Sequence, residues 1–346
     1  MYSFCPSDYL AIRTAPEILQ LTFDSEEPVD YYQVFEGKVA RFFQAEAALF
    51  FPDGYLALVA LLRNVLQDGD ELFVPQTTDG SIPDVLEIVQ RQYEGVRTHL
   101  LTPGSLSDLP ESASRVILLA NGVCETFGAI APVAEWREML LELYEKRGIP
   151  SVVILDDSLG VGLLGENYRG TLEHFGIQAD WMPDVEKGVQ FFFSGSLADA
   201  FGNSGGFLVG NRRWLRLLRK GEPCCCTRNQ MPLSNIVAGI RALELAREPH
   251  RHEALQRNAE FLKRKLAEKE IEFVSQSELP FVLVNSASPR EIVKALGVRG
   301  CRVALTHFTK KPHICIAVNA EHGEVEMDLL VQTLAELLNE EKKEKR

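Results

Sequence analysis

Apolar and polar positions divide the chain into two textures. Through the first two thirds, short apolar runs bounded by turn residues alternate with stretches of helical periodicity. The runs at 71–74, 95–101, 115–120, 151–156, 189–193 and 206–209 read as strands, and the stretches at 54–66, 84–93, 133–147 and 212–220 as helices. The runs from Arg115 to Ala120 and from Ser151 to Asp156 are apolar at nearly every position. Such strands are covered on both faces, as in a parallel sheet wrapped by helices, and the alternation of strand with helix predicts an α/β unit. After Arg247 the texture changes. A long charged amphipathic helix at 252–269 leads to short strands near Phe273, at 281–284 and at 314–318, with helices at 289–296 and 324–338. This predicts a smaller α+β unit. The expected division is an N-terminal segment 1–28 packing on the small unit, a large α/β domain 29–235 and a C-terminal α+β domain 236–346. The charged tail 340–346 is expected to be a frayed, solvated helix end.

Composition narrows the class. Of 346 residues, 46% are hydrophobic and 25% charged, which is ordinary globular usage. With 36 Lys+Arg against 49 Asp+Glu the net charge is −13, which argues against nucleic acid as the main partner. The longest apolar helix-like run, 56–62, stops at Arg63, far short of the ~18–20 residues of a membrane span. The first residues lack the basic-then-apolar order of a secretory signal. Seven cysteines, three of them consecutive (Cys224, Cys225 and Cys226), include no Cys-x-x-Cys pair. Neither a disulfide framework nor a zinc site is expected, and reduced thiols suit a cytoplasmic protein. His250 and His252 are expected to be surface residues.

Two segments carry candidate chemistry. Asp156 and Asp157 end a buried strand, and in open α/β sheets ligands gather at the carboxyl ends of strands. Asp157 also reads simply as the first residue of the following loop. The second segment, 194–207, runs from a strand through Ser196 and a small polar loop to a glycine cluster. Hydroxyls and backbone amides in such a loop can hold a phosphate or another anion.

Together these segments resemble the α-oxoamine synthase branch of the fold-type-I pyridoxal-phosphate (PLP) enzymes, in order and over nearly the whole chain. The residues that carry the likeness are Tyr2 to Leu10, Phe35 to Phe43 with Ala45 to Phe50, Gly54-Tyr55, Gly128 to Pro132, Asp156 to Gly165, Ser204 to Phe207, and Ile314 to His322. The resemblance implies a large domain with a mostly parallel sheet, a small C-terminal domain, and a dimer through 35–43 and 54–66. It also implies roles that this chain fills only in part. Asp156 stands where the family places the partner of the pyridinium nitrogen. Asp199 stands at the position of the lysine that holds PLP, Asp79 at that of the ring-stacking histidine, and Leu159 at that of a second histidine. Lys311 is the nearest match to the substrate-carboxylate arginine. The glycine-rich loop expected between about residues 20 and 32 is missing as well.

The same substitutions mark the non-catalytic first subunit of serine palmitoyltransferase, which the chain is similar to near Gly205-Gly206-Phe207 and Val318 to Glu321, although it lacks that subunit's N-terminal membrane helix. The resemblance therefore implies a catalytically inactive subunit in sphingolipid synthesis. It would bind no PLP covalently and would form a homodimer, or a heterodimer with a lysine-bearing catalytic paralogue that holds it at a membrane. The alternative expectation is an enzyme that uses the pocket of Asp79, Asp156, Leu159, Ser196 and Asp199 for a different, lysine-free reaction.

Overall fold

The computed structural model describes every residue except 1, 6–7, 14, 20–29, 79, 103, 185–186, 222–230, 307–311 and 345–346. The strands in chain order are β1 (Tyr2–Phe4), β2 (Ala47–Phe51), β3 (Glu71–Pro75), β4 (Arg97–Leu101), β5 (Val116–Asn121), β6 (Val123–Cys124), β7 (Ala129–Ile130), β8 (Ser151–Asp156), β9 (Val189–Ser196), β10 (Gly206–Gly210), β11 (Phe273–Val274), β12 (Phe281–Val284), β13 (Cys301–Leu305) and β14 (Ile314–Ala317). The helices are α1 (Pro16–Leu19), α2 (Tyr31–Phe43), α3 (Gly54–Val65), α4 (Ile82–Gln92), α5 (Val133–Arg147), α6 (Thr171–His174), α7 (Arg212–Gly221), α8 (Leu233–Leu245), α9 (Pro249–Glu268), α10 (Pro289–Val298) and α11 (Glu324–Glu344).

Seven strands form one sheet in the order β2-β10-β9-β8-β5-β3-β4. The pairs β9·β8, β8·β5, β5·β3 and β3·β4 are parallel, and β10 runs antiparallel to both of its neighbours. Every residue of β3, β5 and β8 is buried. The cause is the alternation of side chains across a strand whose two faces are both covered. Ile117, Ile154 and Phe192 face α3, α4 and α7, whereas Leu118, Leu155 and Phe193 face the opposite core with α2 and α5. The expected α/β architecture is thus observed.

A second sheet has the order β1-β13-β14-β12-β11. Its first strand is the chain's own start, β1, in parallel register on β13. The N-terminal segment then crosses to the large sheet, held by Ala320 N donating to Tyr9 O at 2.9 Å and by Arg251 Nη1 donating to Leu10 O at 3.2 Å.

Several elements differ from the expected ones. β2 and β13 are not among the expected strands: β2 follows α2 after only three residues, 44–46, the first of them, Gln44, left-handed (φ 58°), so its apolar residues lie close to the helical pattern. The helix α8 begins where a domain boundary at 235 is expected. β9 continues three residues past Phe193 to Ser196, and α4 starts at Ile82 with Pro83 in its first turn, where a missing N–H costs nothing. His252 is buried rather than exposed, with its Nε2 at 2.6 Å from Ala246 O. The helix α11 runs on into the charged tail as far as Glu344.

At the end of the sheet remote from the strand carboxyl termini, Arg115 locks three elements together. Its Nε and Nη2 donate to the Asp70 carboxylate at 2.8 and 2.6 Å, and Nη2 also donates to Val65 O at 2.8 Å. Both side chains are largely out of water. Arg115→Met is expected to destabilise the protein by about 3–5 kcal/mol in chemical denaturation, because Asp70 is left as an unpaired buried charge. Adding Asp70→Leu should recover part of that loss.

Candidate functional site

The carboxyl ends of the parallel strands bring three serines to one carboxylate. Asp156, the last residue of β8, is 8% exposed and points to the α3–α4 face. Ser158 donates to its Oδ1 from the backbone N at 3.2 Å and from Oγ at 2.6 Å, while the Ser81 hydroxyl donates to Oδ2. Ser81 is the N-cap residue of α4 yet makes no cap bond, so its hydroxyl is spent on Asp156. The third hydroxyl, Ser194 Oγ, lies beside Asp156 in strand register, fully buried and without a partner. The first residue of α3 closes this side. A Cβ on Gly54 would lie 3.0 Å from Ser196 Cβ and 3.2 Å from Ser158 Oγ, so a side chain there would press on both serines. A helix N-terminus beside the hydroxyls of Ser158 and Ser196 suits an anionic group.

Asp157 points the other way and does structural work. Its carboxyl accepts from Thr171 N at 2.7 Å and from Thr171 Oγ1 at 2.6 Å. Side chains at Gly122, Gly160 or Gly170 would run into its oxygens, at 2.0, 2.0 and 2.1 Å. Complete burial pushes the Asp157 carboxyl up to about 7, the Thr171 hydrogen bonds pull it down in part, and the Asp156 charge adds to the rise. The reading of Asp157 as the start of a loop is the one observed.

Asp199 sits in the loop after β9. Its carbonyl accepts from Tyr9 N at 2.9 Å, and the loop is gripped again by Arg13 Nε donating to Gly202 O at 3.2 Å. Burial pushes its carboxyl up to about 7, the Asp156 charge raises it further, and Arg13 lowers it. The Tyr9 hydroxyl is 0% exposed and has no partner. Its pKa stands well above the usual phenol range because of burial first, and then the negative groups of Glu125, Cys315 and Asp199. Ser196 Oγ accepts from Ala198 N at 3.0 Å, which shapes the start of this loop.

Of the residues expected in the pocket, Asp156, Ser196 and Asp199 therefore come together. Leu159 is half-buried and packs against the core rather than offering a polar group. Asp79 lies outside the described residues, as do Lys311, Cys224, Cys225 and Cys226. Ser81, Ser158 and Tyr9 are site residues that sequence reading missed, whereas Ser194 opens the candidate segment 194–207. Only Ser81 carried a signal, as a serine two positions ahead of a proline at a helix start. Lys187, close in sequence, is turned away in an ion pair with Asp180.

The fold is that of the fold-type-I PLP-dependent transferases. Residues 17–334 match the family described as Aminotransferase class I and II, and the chain belongs to that family. Within it the relatives are α-oxoamine synthases. The chain is 25% identical over 359 residues to the 8-amino-7-oxononanoate synthase of Ectopseudomonas mendocina, covering 97% of this chain and 88% of the relative. It is 29% identical over 272 residues to a Bacillus licheniformis protein bearing the same synthase name, a match that spans 76% of this chain and 65% of that relative. Among solved structures, the serine palmitoyltransferase of Sphingomonas wittichii has a TM-score of 0.79 at 18% identity, over 99% of this chain and 88% of that one. The 8-amino-7-oxononanoate synthase of Francisella tularensis has a TM-score of 0.76 at 20% identity, over 99% of both chains. These two likenesses concern the fold.

The comparisons overturn several expectations. A catalytically inactive subunit of serine palmitoyltransferase in sphingolipid synthesis is not supported, since the relatives are named as 8-amino-7-oxononanoate synthases, and none supports a different, lysine-free reaction. The expectation of a non-enzyme falls with it. So does that of no covalently held cofactor, because the family is one of PLP-dependent enzymes and solved serine palmitoyltransferases of this fold are described with PLP. Those expectations rest on replaced side chains alone, whereas the structure places Ser81 and Ser158 on Asp156 and the start of α3 beside Ser158 and Ser196. Among the described residues no helix is long and apolar enough to cross a membrane.

The Asp157 geometry makes a pH prediction. Its carboxyl is raised from 3.8 to about 7 in the folded protein, so folding favours the neutral form. The stability it contributes is complete at acid pH and is lost as pH climbs from about 4 through about 7. Between pH 5 and 8 the wild type should lose about 2–3 kcal/mol more than Asp157→Asn, read from denaturant midpoints at both pH values.

Proposed function

We propose that this chain is a PLP-dependent α-oxoamine synthase that joins an amino acid to an acyl-CoA, in the class named by its 8-amino-7-oxononanoate synthase relatives. The observation that carries the reading is the Asp156 carboxylate, fixed by Ser81 and Ser158 at the end of a central parallel strand.

The residues fit the cofactor at two places and not at a third. Asp156 suits a protonated pyridine nitrogen, and the start of α3 with Ser196 suits a phosphate. Asp199 does not supply an amine to hold an aldehyde. A solved serine palmitoyltransferase from S. paucimobilis with one lysine replaced by alanine is described with PLP and myriocin bound, which supports a cofactor site in this fold with a lysine substituted. When bound, the cofactor supplies an electron sink for a bond broken at the amine carbon. The chain's own part is to keep the ring nitrogen protonated through Asp156, to orient it through the two serines, and to hold a proton near neutral pH on Asp199, whose carboxyl is pushed up to about 7. The dimer expected through α2 and α3 belongs to the same proposal.

Absorbance titration with PLP should give saturable binding to the wild type, and supply of an amino acid with an acyl-CoA should release free thiol. Asp156→Asn should weaken PLP binding at least tenfold and lower turnover by about 10²–10⁴. Wild-type protein that neither binds PLP nor releases thiol would contradict the reading. Sedimentation should give a species of twice 38.7 kDa, and a monomer would contradict the dimer.

A further inference from the structure

A cation that lines a cleft is either spent on the protein's own acids or available to an anionic ligand. A cleft of about 790 Å³, the size of a small-molecule site, lies between α2 and α7 beside β2, the edge strand of the large sheet. α7 lines it with Arg212, Arg216 and Lys220, four residues apart and so on one stripe of the helix, with Arg219 alongside. Three acids line the same cleft, and each is spent on donors of this chain. Glu36 accepts from Arg219 Nη2 at 2.6 Å and from Phe50 N at 3.2 Å. Glu46 accepts from Asn211 Nδ2 at 3.1 Å, and Asp30 caps α2 by accepting from Gln33 N at 3.1 Å. Among the described residues the side chains of Arg216 and Lys220 have no partner, and that of Arg212 reaches only a carbonyl, Glu46 O at 3.3 Å. In a chain of net charge −13 this stripe is a local reversal of sign.

The apolar lining of the cleft is made of small residues, Gly37 and Ala40 of α2 with Ala47 and Ala48 of β2. A Cβ on Gly37 would meet no atom within 4 Å, so the glycine leaves open space rather than a close helix contact. Tyr32, pinned through its hydroxyl to Met231 O at 2.6 Å, is a fixed ring in the same lining. Small apolar residues and a fixed ring suit a planar base, and unpaired guanidinium and ammonium groups suit phosphates. We propose that the α2–α7 cleft binds a nucleoside diphosphate group, with its phosphates on Arg212, Arg216 and Lys220 and its base on the small residues around Gly37. That group has two sources, a free nucleotide or the adenosine diphosphate end of CoA. The cleft shares no residue with the Asp156 site, so nucleotide binding here and PLP binding there are measured separately.

Calorimetric titrations with ADP, CoA and adenosine test this on the wild type and on three variants. The wild type should bind ADP or CoA saturably, and adenosine, which has no phosphate, about tenfold or more weakly. Removing both unpaired cations, Arg216→Ala with Lys220→Ala, should weaken the binding about tenfold or more. Arg213→Ala is the control: Arg213 is an exposed cation of the same helix that does not line the cleft, and its loss should change the affinity less than about twofold. Gly37→Leu alters no charge and fills the bed from an exposed helix position with open space around it, so it should fold and also weaken binding about tenfold. Tighter binding of CoA than of ADP assigns the cleft to CoA, and ADP binding at least as tight assigns it to a free nucleotide. Wild-type protein that binds neither ADP nor CoA overturns the inference. So does binding that the double variant and Gly37→Leu leave unchanged, or that Arg213→Ala weakens as much as the double variant does, since a diffuse surface charge would then account for it.

Discussion

The arrangement of the site depends on one constraint: Asp156 ends a strand that is buried on both faces, and a second acid, Asp157, follows it directly. Successive side chains of a strand point to opposite faces, so Asp156 and Asp157 have to be accommodated on opposite sides of the sheet. Asp156 takes the α3–α4 face, where Ser81 and Ser158 satisfy its oxygens. Asp157 takes the other face, where Thr171 satisfies it and three glycines make room. One dipeptide therefore carries the candidate chemistry on one side and fastens the loop beneath it on the other. Burial sets the electrostatics of both sides, and it raises the Asp157 and Asp199 carboxyls to about 7.

The second dependence is on the N-terminal segment. β1 belongs to the small sheet, yet a few residues later Tyr9 and Arg13 hold the loop that follows β9 of the large sheet. The position of Asp199 is therefore set by chain that is remote in sequence. Asp8 supports the turn by accepting from Ile12 N at 2.8 Å. Displacing this segment would uncover Tyr9 and remove the backbone bond that Asp199 accepts from it.

Much of the fold was legible because buried parallel strands advertise themselves. β5 and β8 have no polar position between their first and last residues, and α5 occupies the expected stretch 133–147. Elements that follow closely on another apolar element were not legible. β2 follows soon after α2, and α8 lies where a boundary is expected. In the site, acids at a strand end could be read, since their chemistry is uncommon there. Ser158 and Tyr9 could not, and Ser81 showed only as a helix start, because a serine or tyrosine carries no sign of its partner until the fold brings that partner near. The expectation of inactivity failed for a related reason. A replaced lysine shows which amine is absent from the chain, and it is silent about what the remaining cradle binds.

The account stands on Asp156 holding a protonated ring nitrogen. The direct measurement is the ¹⁵N chemical shift of PLP labelled at the pyridine nitrogen, bound to the protein and followed from pH 6 to pH 9. A carboxylate fixed by two serines should keep the nitrogen protonated, so the shift should remain at the pyridinium position throughout, and Asp156→Asn should move it to the free-base position. A wild-type shift at the free-base position, or one that titrates as it does in water, would contradict the account.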